Sequence, residues 1–328
     1  MRRPCLDLGV TSGAPTDRIL RVASVAARSG MYGIWVGEDI GRGYDVFVQA
    51  SLVMLKAPGK KVGIGVTSPL VHNISTIARA AAALREMGSG RFRLGLGIGG
   101  LQDLARLGLT VKKPVALLKD SIDVLRRIWA GETLTIKGEN FDLQQFLARY
   151  RPGFSIPLYL GVRGPQMLRL AGRIADGVIL SGPLAYIEKA LKIVRTEAIG
   201  RPLKSRLRAV VWLPTLVVRN TADKELAKVV AATVIADTPS SVLEMSQMPE
   251  DDVRNVRKTA RERGYTAASK HVTERLLDTF TISGDAGYIC QVFHSVAKLG
   301  ADEVIFGPPY GAPIVRSIRE VIKAWDRL

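Results

Sequence analysis

The sequence predicts an α/β fold of the TIM (β/α)8 barrel class, with loop insertions. Eight short apolar runs alternate with helical segments from one end of the chain to the other. That is the pattern of βα units around a parallel sheet. The two stretches that break this rhythm, 131–155 and 221–279, fall between units and not inside them. A chain of 328 residues is long enough for eight units plus such additions. A two-domain doubly wound protein is the alternative. It would want a linker near the middle, and no segment there has a linker's composition. Residues 1–328 therefore read as one domain.

Cys5–Val10 reads as the first strand, followed by the turn-rich TSGAPTD. Thr16 or Asp17 caps a helix with apolar spacing at Ile19, Val22, Val25 and Ala26, and Gly30 closes it. Gly33–Val36 is the second strand, and Asp45–Lys56 the next helix. Val62–Val66 is the third strand, followed by the alanine-rich helix Ile74–Met87. Phe92–Gly97 is the fourth, and Pro114 opens a helix through Trp129. Gly131, Gly138, Asn140, Pro152 and Gly153 then punctuate a loop insertion with one strand-like piece, Thr133–Lys137. Pro157–Leu160 and Gly177–Leu180 are strands five and six, each followed by a helix. Arg208–Val218 is the seventh strand, and residues 221–279 are polar and helical, with breaks at Pro239 and Pro249. The helix Ala286–Leu299, the eighth strand Asp302–Phe306 and a helix from Pro313 complete the pattern.

Lys and Arg exceed Asp and Glu by 47 − 30 = +17. The basic residues are scattered through helices, without like-charge runs or interleaved aromatics, so a nucleic-acid partner is not expected. Solvated helix faces, or attraction of an anionic ligand, account for them. Apolar runs stop near ten residues, too short to span a bilayer. No secretory leader is visible, which predicts a cytoplasmic protein. Cys5 and Cys290 are the only cysteines, so neither a disulfide framework nor a metal cluster is expected.

Gly95-Leu96-Gly97-Ile98-Gly99-Gly100 matches G-x-G-x-x-G, but Gly95 and Gly97 fall within a strand and three βα units precede it. It reads better as a strand leaving room for a flat ligand. Gly161-Val162-Arg163-Gly164-Pro165 is a second glycine-rich mouth, at a helix amino terminus. It suits a phosphate, or is simply a βα turn. Glu38 and Asp39 are adjacent carboxylates at the end of strand two, where barrels place catalytic groups. His72 follows the turn Thr67-Ser68-Pro69 and reads as a capping or exposed residue. No GxSxG, HExxH or P-loop occurs, which leaves a serine hydrolase, zinc protease or kinase without support.

Four stretches carry a resemblance: GIWVGED, then VGIGVTSPLVHNISTIARAAAALREMGSGRFRLGLGIGG, then IPLYLGVRGPQMLRLAGRIADGVILSG, then SGDAGYICQVFHSVAKLGADEVIFGPP. Together they make the chain resemble the bacterial-luciferase-like superfamily, and within it the methylenetetrahydromethanopterin reductases of archaea. The resemblance implies a luciferase-like barrel binding coenzyme F420, a deazaflavin with a phosphate and an acidic tail. It implies a non-prolyl cis peptide or bulge at Gly65-Val66 behind the ring, with Thr67 and Ser68 on the same wall. It places Gly97 and Gly99 near the coenzyme, and Gly161, Arg163 and Gly164 at its phosphate. Ser181 and Gly182 lie at the next strand's mouth. The reductases tend to carry Asp-His where Glu38-Asp39 stand here, and a glutamate where this chain has Gly9. The implied activity is hydride transfer between F420 and a small-molecule substrate, methylenetetrahydromethanopterin or a related pterin. Glu38 and Asp39 would handle protons or touch the coenzyme. An FMN-dependent luciferase-like monooxygenase and a non-catalytic ligand-binding barrel are the alternatives. Family analogy suggests a homo-oligomer, a dimer or tetramer, with no membrane partner.

Overall fold

Apolar β-branched runs separated by helices can bury both faces only if the strands are covered on each side, and here they close on themselves. The computed structural model describes residues 3–148, 150, 154–201 and 206–327. Its strands are β1 (Cys5–Thr11), β2 (Gly33–Gly37), β3 (Lys61–Thr67), β4 (Phe92–Leu96), β5 (Leu134–Lys137), β6 (Asp142–Phe146), β7 (Leu158–Gly161), β8 (Gly177–Leu180), β9 (Arg208–Val217), β10 (Ile282–Gly284) and β11 (Glu303–Tyr310). The sheet runs β10-β9-β11-β1-β2-β3-β4-β7-β8, and β8 pairs back onto β9. Eight parallel strands thus form a closed TIM barrel, with β10 added to the edge of β9.

Helices cover the outside through their apolar stripes. The Pro114–Trp129 helix buries Leu117, Leu118, Ile122, Leu125 and Ile128. The Ile74–Met87 helix buries Ile77, Ala78 and Ala81, and Asn73 caps it by accepting from Ser75 N. A separate cluster, Trp35, Tyr159, Ile179, Val210 and Ile305, fills the barrel interior, with Val66 and Trp212 packed against it. Towards the amino ends of the strands this core turns ionic. Arg93 donates to Glu303 at 2.5 Å and to Asp7 at 3.3 Å, and its guanidinium lies 4.1 Å from the Trp35 ring centroid. Trp35 Nε1 donates to Asp7 at 2.8 Å, and Arg208 to Glu303 at 2.7 Å.

Residues 131–155 are more ordered than their punctuation predicts. β5 and β6 form an antiparallel hairpin that buries Leu134 and Leu143. The polar composition of β6, DLQQF, hides it from a reading by apolar alternation. Arg149, Pro152 and Gly153 of this insertion lie outside the described residues. Strand eight of the prediction, ending at Phe306, continues as β11 through Gly307, Pro308 and Pro309 to Tyr310. Its register against β9 shifts between Phe306 and Pro309, and the Pro308-Pro309 bond is cis. Proline lacks the N–H a regular ladder needs.

Residues 221–279 form a helical cap on the barrel. Its helices are Thr221–Asp237, Ser240–Met245, Glu250–Arg263, Tyr265–Ala268 and Glu274–Phe280. They pack around a core of their own, including Ala231, Ile235, Val253, Val256, Leu277 and Phe280, joined by Leu216 of β9. Among the described residues no helix is long and apolar enough to cross a membrane.

Candidate active site

A parallel barrel exposes its loops at the carboxyl ends of its strands, and a cavity of about 850 Å³ opens there. Its wall begins in β3. The Gly65-Val66 peptide is cis, and the register against β4 shifts between Ile64 and Thr67. The bulge turns the Val66 side chain into a slot left by glycines. A Cβ at Gly97 would lie 2.6 Å from Val66 Cγ2, and one at Gly161 would lie 2.6 Å from Val66 Cγ1. Gly65, Val66, Gly99, Gly161, Ile98 and Ile179 therefore present a surface poor in side chains to the cavity.

Above the bulge, Thr67 and Ser68 are buried yet reach the cavity. Ser68 Oγ donates to the Ile98 carbonyl at 2.8 Å, tying the third loop to the fourth. Thr67 Oγ1 donates to Glu38 Oε2 at 2.8 Å, and His72 Nε2 lies 2.6 Å from Glu38 Oε1. His72 is thus neither a helix cap nor a free surface residue. Glu38 draws the imidazole in and raises its pKa, against the opposing effect of burial.

Glu38 lines the cavity, whereas its neighbour Asp39 does not. The Asp39 amide donates to Ser12 Oγ at 2.9 Å, and its carboxylate accepts from Arg42 N at 3.2 Å. A Cβ on Gly13 would lie 2.4 Å from Asp39 Oδ2. Asp39 thus organises the loop behind the cavity.

At the β7 mouth, Arg163 lines the cavity and donates to the Asp237 carbonyl at 3.1 Å, its carboxylate lying at 3.8 Å. Gly164, with φ +82°, starts the Pro165–Ile174 helix, whose first turn has no side-chain cap. Ser181 lines the cavity; Gly182, with φ +154°, packs beside Tyr186 outside it. Gly97 and Gly164 also lie behind the lining. Thus Glu38, Gly65, Val66, Thr67, Ser68, Gly99, Gly161, Arg163 and Ser181 converge on one space, and Asp39, Gly97, Gly164 and Gly182 support it.

Several lining residues have no counterpart among those predictions. Trp212 of β9 stands over Gly9, where a Cβ would lie 2.5 Å from the indole Cζ2. An indole therefore occupies the space that a side chain at position 9 would need. Trp212 lies midway along β9, so its position in the strand gave no signal that it reaches the cavity. Asp103 lies on a short helix, Leu101–Arg106, in a stretch that reads as loop in the sequence, and Asp237 comes from the cap; neither place carries a positional signal in the sequence. Burial raises the Asp237 pKa, and Arg163 opposes that. Arg163 is the single base among the described lining residues, against Glu38, Asp103 and Asp237, so the chain's positive charge is not concentrated here.

The closed parallel barrel with this cavity at its carboxyl end is that of a TIM-barrel protein. The chain belongs to the luciferase-like monooxygenase family, whose profile matches residues 4–303. It is 29% identical over 307 residues to a 5,10-methylenetetrahydromethanopterin reductase of Archaeoglobus fulgidus, covering 91% of this chain and 92% of that one. Over 168 residues it is 36% identical to an F420-dependent glucose-6-phosphate dehydrogenase of Nakamurella multipartita, covering 47% of this chain and 50% of that protein. Among solved structures, the coenzyme F420-dependent tetrahydromethanopterin reductase of Methanopyrus kandleri superposes with a TM-score of 0.88. That match has 21% identity and covers 99% of each chain.

Proposed function

We propose that the protein is an oxidoreductase that passes a hydride between coenzyme F420 and a small-molecule substrate. The observation that carries this reading is the bulged, side-chain-poor wall at Gly65-Val66, present in a chain similar over nine-tenths of its length to a 5,10-methylenetetrahydromethanopterin reductase. The residues fit a deazaflavin. A flat ring needs an apolar surface free of projecting side chains, which Val66, Ile98, Ile179 and the backbone of Gly99 and Gly161 offer. A phosphate needs a cation or free N–H groups, and Arg163 beside the uncapped first turn of the Pro165–Ile174 helix offers both.

When bound, the coenzyme supplies the carbon that accepts or donates the hydride. The chain supplies position, dryness and a proton site. Val66 and Ile179 hold one face of the ring. Arg163 meets the phosphate and leaves Asp237 to do so. Trp212 offers an apolar plane to the substrate side, and Glu38, fixed by Thr67 and His72, takes or gives the proton that accompanies a change in the substrate. A pterin such as methylenetetrahydromethanopterin is the first substrate to screen, by analogy with the reductases.

The reading includes a cytoplasmic homo-oligomer. Val48 and Leu55, seven residues apart on the Val46–Lys56 helix, are exposed apolar residues, and Tyr44 just ahead of that helix is exposed too, a set that suits a second copy. Sedimentation velocity would report a species at least twice the mass of the chain; a monomer at micromolar concentration refutes the oligomer.

Parallel titrations with oxidised F420 and with FMN, read by fluorescence, test the central claim. F420 should bind with a Kd at least tenfold below that for FMN. Binding of FMN alone would move the protein to flavin-dependent monooxygenation, and binding of neither would leave a barrel that holds some other ligand.

A further inference from the structure

Behind Glu38 stands a titratable group that a hydride-transfer site does not by itself require. His72 lies in the turn between β3 and the Ile74–Met87 helix. It is absent from the cavity lining, whereas Glu38 is part of it. The 2.6 Å approach of His72 Nε2 to Glu38 Oε1 is a little shorter than the ~2.7–2.9 Å usual for a charge-assisted N–H···O hydrogen bond. Thr67 Oγ1 holds the second oxygen at 2.8 Å, so both carboxylate oxygens are tied down from behind. The imidazole is fixed in turn: its ring meets Phe47 edge-on at 5.4 Å, and Phe47 lies in the first turn of the helix that Asp45 caps. The histidine side chain keeps 17% of its exposure and the glutamate 6%, so His72 is the member of the pair that reaches solvent. The ionisable groups acting on His72 are Glu38, from the end of β2, and Asp45, from the start of the Val46–Lys56 helix.

We propose that His72 is the positioning residue of Glu38: its Nε2–H fixes the carboxylate's orientation towards the cavity and supplies the countercharge against which Glu38 exchanges a proton with the substrate. The identity of the reaction rests on the F420 reading above; the pairing does not. One proton moves. In one direction a substrate X–H bond breaks and a Glu38 O–H bond forms; in the other, that O–H bond breaks and the substrate is protonated. The Nε2–H bond of the imidazolium stays intact throughout. As pH rises through the histidine's own titration the countercharge is lost, and turnover should change with it.

The chain has three histidines, His72, His271 and His294, so each can be followed by NMR with carbon-labelled imidazoles in the full-length protein. One imidazole, assigned by its loss in His72→Gln, should titrate above the ordinary value of about 6.5 and return to it in Glu38→Gln. A His72 that titrates normally and ignores Glu38→Gln overturns the pairing, whatever coenzyme the protein uses. His72→Gln should then bind the coenzyme identified by the parallel titrations within twofold of wild type. Its kcat should fall at least tenfold, with KM within twofold, and the limb of the kcat–pH profile assigned to His72 should vanish. His72→Asn serves as a second variant if the first fails to fold. A profile superimposable on wild type overturns the positioning role. Absence of F420 binding with the NMR shift present refutes the coenzyme reading and leaves the pair standing, to be tested in the same way with FMN.

Discussion

Of the three carboxylates that line the cavity, Glu38 is the one to which we assign proton exchange, and its neighbours decide how it is held. Glu38 and Asp39 are adjacent, and successive residues at a strand end leave on opposite sides. One of the two can enter the cavity, and the backbone of β2 selects Glu38. The doublet was legible in the sequence as a strand-end acid pair; which member faces inward was not, because that depends on the register of β2 between β1 and β3. His72 was illegible for a related reason. Its partner lies 34 residues earlier in the chain, and nothing local announces the contact. Removing the acid should be costly for turnover: Glu38→Gln is expected to lower kcat by roughly 10²-fold or more, the range for a lost general acid or base, with coenzyme affinity within twofold. The pair also has a thermodynamic signature. Because the folded pKa of His72 is raised, its contribution to stability is complete below the unfolded value of about 6.5 and fades as pH rises through the folded value. Chemical denaturation at stepped pH should show this loss in wild type and not in His72→Gln.

At the scale of elements, β3 is the piece on which the wall depends. Its run of apolar residues made it readable as a strand, and the resemblance alone located the bulge at Gly65-Val66. The slot that receives Val66 comes from β4 and β7, and spacing cannot show that Gly97 and Gly161 serve the same methyl groups. This predicts non-additivity. Gly161→Ala should destabilise by about 1–3 kcal/mol through overpacking against Val66. In combination with Val66→Ala the two losses should sum to less than their separate values, by at least about 0.5 kcal/mol in a double-mutant cycle of unfolding. Additive losses would show that the slot relaxes elsewhere. The β5–β6 hairpin and the prolines of β11 escaped a sequence reading on different grounds: polar strands show no apolar alternation, and proline reads as a stop.

For the whole molecule, stability and chemistry occupy opposite ends of one barrel. At the amino ends of the strands, Arg93 is buried between Asp7 and Glu303. Burial, with Glu303 close by, pushes the Asp7 pKa up to about 8. Burial also acts against ionisation of Glu303, but Arg93 and Arg208 outweigh it and hold that carboxyl at about 2. Asp7 therefore keeps a proton in the fold that the unfolded chain gives up above about pH 4, so this group lowers stability as pH rises from about 4 to about 8. Asp7→Asn should flatten that slope in a pH series of denaturation curves. Arg93→Met, which leaves buried Glu303 with Arg208 as its remaining cation and takes a donor from Asp7, should cost about 3–5 kcal/mol and leave the residues lining the cavity untouched. The eightfold alternation was the most legible property of the chain, because it repeats; the ionic centre was not, because its members lie 86 and 210 residues apart along the sequence.

The cap carries one more consequence. Of its residues 221–279, those that reach the cavity are Ala236, Asp237, Thr238 and Pro239, one contiguous corner at the end of its first helix. Arg257 pins that corner by donating to the carbonyls of Ile235 and Thr238. In evolutionary terms, the cap's contribution to the cavity is a four-residue cassette with its own foundation. A lineage could exchange it by a short segment replacement and inherit the β3 wall intact. Grafting the corresponding corner from a relative should change which substrates are turned over while coenzyme affinity stays within a fewfold of the parent.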